Sequence, residues 1–104
     1  MTLPSALHAG LAAIFGVPHK AVGFEVQDDG LFLLVTIELN LGEPPVSQLM
    51  AAAGHLLDQS VPPRSDEYSW MMTFTHAGAL MDSESGGWAR PGHMSLSDKA
   101  GDTM

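Results

Sequence analysis

Cysteine is absent from the chain, which excludes a disulfide framework, a thiolate nucleophile and a zinc site built on sulfur. Basic residues are scarce: four Lys and Arg stand against twelve Asp and Glu, giving a formal net charge of -8. Nucleic-acid binding draws most of its strength from phosphate neutralisation by Lys and Arg, so nucleic acid is not an expected partner. An anionic membrane surface is disfavoured for the same reason. No apolar run approaches the roughly 18 residues of a transmembrane helix. The N-terminus has no Lys or Arg before Lys20 and so lacks the basic start of a secretory signal. A cytoplasmic location is expected. Gly-x-Ser-x-Gly, Gly-x-Gly-x-x-Gly and phosphate-loop lysine motifs are all missing, which removes the commonest local signatures of serine hydrolases and nucleotide-binding enzymes.

What remains is 104 residues, 45% of them hydrophobic, enough for one small domain with a modest core. Leu3, Leu7, Leu11 and Ile14 recur at helical spacing and predict a first helix from about Leu3 to Phe15. Thr2 is its expected cap and Pro4 falls in its first turn; Gly16 and Pro18 stop it. Val22, Phe24 and Val26 then alternate with smaller and polar residues up to Asp29-Gly30, a pair suited to a tight hairpin turn. With that turn, Val26 faces Leu33, Phe24 faces Val35 and Val22 faces Ile37, in a returning strand from Leu31 to Asn40. The other side of this hairpin carries Glu25, Gln27 and Glu38 but also Phe32 and Leu34.

A second helix follows Pro45, with Val46, Leu49, Met50, Ala53, Leu57 and Val61 on its apolar side, and ends at Pro62-Pro63. Arg64 to Glu67 is a polar link. The third strand runs from Tyr68 to about His76, with Tyr68, Trp70, Met72 and Phe74 on one face and Met71, Thr73 and Thr75 on the other. A kink at Gly78 prolongs it to Met81. From Asp82 onward Ser, Gly and Asp dominate, so residues 82–104 are expected to form a flexible acidic, Gly/Ser-rich tail behind a single domain of residues 1–81. The expected architecture is an α+β two-layer sandwich in the order helix, strand, strand, helix, strand. Its small antiparallel or mixed sheet carries both helices on one face.

This order is similar to two known shapes, the type II KH domain and the cytoplasmic domain of cation diffusion facilitators. A KH domain clamps RNA with Gly-x-x-Gly, and no two glycines of this chain are three apart. The transporter domain contributes metal-binding histidines and acids, which do not match this chain residue by residue.

Five histidines are the only residues that suggest a metal. None are paired at the i, i+4 spacing that puts two imidazoles on one ion. His55 and His76 are the candidates for zinc or nickel. The competing reading makes His55 a solvated side chain and His76 a rim residue bonded to backbone. Phe32, Leu34, Trp70, Met71 and Trp88 are candidates for an interface or a ligand-binding wall, because each is a large apolar group on a face or segment with no assigned covering layer. No catalytic set and no cofactor site is discernible. The leading expectation is a non-catalytic accessory module that forms a homodimer through the outer sheet face or an edge strand and binds a basic protein partner. The alternatives are a metal-responsive domain, and a small-molecule binder or enzyme whose cleft is lined by Trp70, Met72, Phe74 and His76.

Overall fold

The computed structural model describes residues 3–89. Two helices, α1 (Ser5–Phe15) and α2 (Ser47–Ser60), lie on one side of a four-stranded mixed sheet made of β1 (Val22–Gln27), β2 (Phe32–Glu38), β3 (Trp70–His76) and β4 (Ala79–Gly86). The α+β architecture therefore stands, with one more strand than the sequence pattern predicts. Strand order is β1-β2-β3-β4. β1 and β2 pair antiparallel, β2 and β3 parallel, and β3 and β4 antiparallel. The parallel step needs a crossover, and α2 supplies it.

Helix α1 starts at Ser5 with Pro4 as its N-cap and no side-chain cap; the expected cap, Thr2, lies outside the described residues. It ends in a Schellman turn. Gly16 takes the left-handed conformation (φ 64°), the Val17 N–H donates to Ala12 O at 3.0 Å, and the Gly16 N–H donates to Ala13 O at 3.3 Å. Leu7, Leu11 and Ala12 face inward. From α2 come Ala53, Gly54 and Leu57. Beneath them sit Leu33, Val35 and Ile37 of β2 and Trp70, Met72 and Phe74 of β3, all essentially inaccessible. Each fully buried side chain of this kind contributes about 1.5–3 kcal/mol. Val46 and Leu49, expected on the core side of α2, are instead exposed: the helix begins only at Ser47, and both residues line an open groove beside Phe15.

The β1–β2 hairpin has the expected register, with Val22 opposite Ile37, Phe24 opposite Val35 and Val26 opposite Leu33. Asp28 (φ 56°), Asp29 (φ 54°) and Gly30 (φ 87°) are all left-handed, and the Leu31 N–H closes the turn on Asp28 O at 3.0 Å. The ladder ends at the Gln27–Phe32 pair, so the loop is four residues, Asp28 to Leu31, rather than the expected two. Gly78 is not a kink within one strand. Ala77 (φ 50°) and Gly78 (φ 84°) form a second tight turn, and His76 pairs with Ala79 across it. Residues 82–86, expected to begin the tail, are therefore the second half of β4. The pairing is irregular at one point: Phe74 faces Asp82 but Thr75 faces Leu80, leaving Met81 as a bulge. Beyond β4, the Arg64 N–H donates to Gly87 O at 2.8 Å and the Ala89 N–H to Arg64 O at 2.7 Å. These bonds fasten the chain around Trp88 to the segment before β3.

Candidate functional site

Among the described residues, helices cover one side of the sheet only. Alternation along the strands puts Glu25, Gln27, Phe32, Leu34, Thr36, Glu38, Met71, Thr73 and Thr75 on the other side. There Phe32, Leu34 and Met71 remain half-buried, and Leu34 and Met71 are direct neighbours in the parallel pair. Leu80, opposite Thr75, is 66% exposed. This uncovered face has an apolar centre and an acidic rim. At one end, a depression of about 450 Å³ is lined by Gln27, Asp28, Phe32 and Glu67. At the other stands Glu38.

The acidic corner is organised by Arg64. Its Nη1 lies 2.7 Å from Asp28 Oδ2. Its Nε and Nη2 donate to the two carboxylate oxygens of Asp66 at 3.1 and 3.0 Å, and Nη2 also reaches Glu67 Oε2 at 3.2 Å. The Arg64 side chain is 11% exposed, whereas those of its partners are more than half exposed. The hydrogen bonds Arg64 donates to Asp28 and then to Asp66 raise its pKa further, and the latter bond holds the Asp66 carboxyl below its ordinary value. Three carboxylates on one guanidinium leave the corner net negative. The other basic side chain among the described residues is Lys20, on the short 3-10 turn before β1.

Glu38 holds the second turn. Its Oε1 accepts from Thr75 Oγ1 at 2.6 Å and its Oε2 from the Ala77 N–H at 2.7 Å, so the residue carrying the unfavourable positive φ is anchored across the sheet. The Thr75 hydroxyl, then the Ala77 N–H, lower the Glu38 pKa from its ordinary 4.5. A lowered folded value means that this contribution is complete above pH 4.5 and disappears as pH falls through the folded value. In urea titrations across that window, Glu38→Gln should lose less stability on acidification than the wild type. Parallel curves would refute the role.

The predicted residues divide clearly. Phe32, Leu34 and Met71 come together on the uncovered face. Trp70 does not join them: it is 2% exposed and points to the helix side, where Nε1–H donates to Asp58 Oδ1 at 2.9 Å. With Met72 and Phe74 equally buried, the expected ligand wall is core, filled by the protein's own helices. Trp88 docks on its own chain, edge-on to Tyr68 with ring centroids 5.0 Å apart, its Nε1–H directed at Ser65 O at 3.4 Å. His55 is exposed on α2 beside Gln59. His76 sits at the end of β3, its Nδ1–H donating to Leu39 O at 3.0 Å. Among the described residues no group of three or more His, Asp and Glu side chains is placed to hold a metal ion, and no helix is long and apolar enough to cross a membrane.

Three residues with structural roles escaped the sequence reading. Arg64 looked like linker and Glu38 like solvent-facing strand. His8 spans α1 and β1, its Nε2–H shared between His19 O at 2.8 Å and Val22 O at 2.9 Å. Apart from Asp66 and Glu67, which neighbour Arg64 in sequence, their partners lie 11 to 39 residues away, beyond the reach of any local pattern. A second, smaller apolar feature is a groove of about 250 Å³ between the end of α1 and the start of α2, lined by Phe15, Leu41, Pro45, Val46 and Leu49. Compared with known proteins, the chain matches no family model, no curated protein and no solved structure.

Proposed function

We propose that the protein is an acidic, non-catalytic interaction module of the cytoplasm that works as a homodimer and holds a basic protein partner on its uncovered sheet face. The observation that carries this reading is the face itself: among the described residues nothing covers Phe32, Leu34 and Met71, which lie between Glu38 at one end and Asp28 and Glu67 at the other. Apolar centre and charged rim are the usual anatomy of a protein contact. An aliphatic side chain of the partner would pack on Leu34 and Met71. A Lys or Arg would lie over the Phe32 ring with Asp28 and Glu67 beside it, gaining both cation–π and ionic attraction.

A synthetic amphipathic helix of Leu and Lys supplies the probe. In an NMR titration at low salt it should shift the backbone amides of Phe32, Leu34, Met71 and Thr73, with an affinity that falls as salt rises. Leu34→Glu buries a charge under the apolar face of the peptide and should weaken binding at least tenfold. Shifts confined to the α2 side, or binding indifferent to Leu34→Glu, would overturn the assignment of this face.

A further inference from the structure

The two edges of the sheet are not equivalent. β4 carries the devices that keep an edge from pairing. It is broken by the bulge at Met81, and Asp82 and Glu84 stand opposite Phe74 and Met72 on the helix side. β1 has neither bulge, proline nor lysine. Its helix side holds Phe24, half-buried, and Val26, 44% exposed. Both lie at the same level as Leu33 and Val35, which are fully buried. Two core-facing residues are thus left at the margin of the helix layer.

The sequence of β1 also has a symmetry. Val22-Gly23-Phe24-Glu25-Val26 reads the same in both directions in apolar pattern, Val–x–Phe–x–Val about Phe24. A two-fold axis demands that residue i of one copy meet residue j of the other while j meets i. We infer that two copies pair antiparallel through β1, with the axis at Phe24, to make one continuous eight-stranded sheet. This inference rests on the homodimer reading above and assigns it a surface separate from the partner-binding face.

In this register Phe24 faces Phe24 and Val22 faces Val26 on the helix side, and each Glu25 faces a Gly23 on the other. Apolar residues meet apolar residues, and the carboxylates are offset from one another. The backbone agrees. The Leu33 and Leu39 N–H groups donate across to β3, at Ser69 O and Thr75 O. Alternation therefore turns the N–H and C=O groups of Gly23, Glu25 and Gln27 toward β2 and those of Val22, Phe24 and Val26 outward. Phe24 is then the residue that exchanges both hydrogen bonds with its own copy on the axis, flanked by Val22 and Val26. The Val22 C=O, which accepts from His8 Nε2, shares its second lone pair. Two other axes near the strand centre keep the helix sides together: at Glu25 the two carboxylates stand face to face, which is destabilising, and at Gly23 Val26 falls opposite Lys20, outside β1.

Residue 23 offers a test that leaves the fold alone, because Gly23 is exposed and a Cβ there would meet nothing within 4 Å. Gly23→Glu places two like-charge pairs across the axis. Gly23→Lys places two opposite-charge pairs there. Sedimentation equilibrium over a concentration series should show the Glu variant dimerising about 2- to 30-fold more weakly than wild type and the Lys variant more tightly by a similar factor, with the difference shrinking in high salt. Phe24→Cys should form an interchain disulfide on oxidation, since a directly opposed hydrogen-bonded pair has Cα atoms about 5.5 Å apart, within the span of a disulfide. Glu25→Cys should not. A monomeric wild-type chain would overturn both this inference and the homodimer reading. A dimer indifferent to residue 23 that dissociates on Leu34→Glu would overturn edge pairing alone and place the dimer contact on the outer face.

Discussion

Trp70→Ala should lower folding stability by about 3–5 kcal/mol, against the roughly 5–15 kcal/mol that natural domains hold in total. The indole occupies a slot between α2 and β4 that only glycines leave open. A Cβ on Gly54 would stand 3.3 Å from the ring Cη2, and a Cβ on Gly86 would stand 2.7 Å from Cε2 and 2.8 Å from Cη2. Nε1–H is bonded to Asp58 at the rim. Removing the ring therefore deletes the contact between helix and edge strand and leaves a cavity the backbone cannot close. Gly86→Ala tests the same slot from the other side. In the wild type it overpacks the ring and should cost about 1–3 kcal/mol. In the Trp70→Ala background the methyl group has space, so the double variant should be more stable than the sum of single losses predicts. Urea unfolding of the four proteins gives the cycle. A Trp70→Ala loss below about 1 kcal/mol, or a Gly86→Ala penalty of equal size in both backgrounds, would show that Trp70 is not the residue seating β4.

The slot also shows why part of this fold was legible in sequence and part was not. The β1–β2 register could be written down residue by residue, because Asp29-Gly30 names its turn and Val22, Phe24 and Val26 alternate against a buried face. The stripe of Ala53, Leu57 and Val61 on and just after α2 was equally clear. β4 was not, because Ala79 to Gly86 has no apolar alternation. An edge strand that carries Ser, Asp and Glu is held by backbone pairing and by what its glycine allows beneath it. Its turn was hidden too, since Ala77 sits at a φ of 50° where Asn or Asp is the usual signal. Trp70 was misplaced for a related reason: an alternating aromatic strand looks the same whether a helix or a ligand fills its face. Phe32, Leu34 and Met71 were found because two adjacent strands each place large apolar groups on the side opposite their core residues.

Arg64→Met should produce the largest electrostatic effect in the molecule, and its character separates charge from packing. Methionine keeps most of the apolar stem, so the change removes the guanidinium while Asp28, Asp66 and Glu67 remain gathered around its position. Attraction becomes repulsion among three carboxylates. The hairpin turn at Asp28 loses its tie to the segment before β3, 36 residues away in sequence. Amide exchange at Leu31, at residue 64 itself and at Ala89 should then accelerate, the first through the turn and the others through the strip in which residue 64 pairs with Gly87 and Ala89. Buried amides of β2 and β3 should be less affected, since local opening need not pass through global unfolding. The deficit should shrink with added salt, which screens repulsion between exposed charges. It should also shrink on acidification, because Arg64 lowers the Asp66 pKa and that contribution is lost as pH falls through the lowered value. Arg64→Lys should recover only part of the loss, as an ammonium cannot match the two-oxygen contact to Asp66. A deficit independent of both salt and pH would mean that the stem, not the charge, holds this corner together. An unchanged exchange pattern at Leu31 would mean that the turn never depended on it.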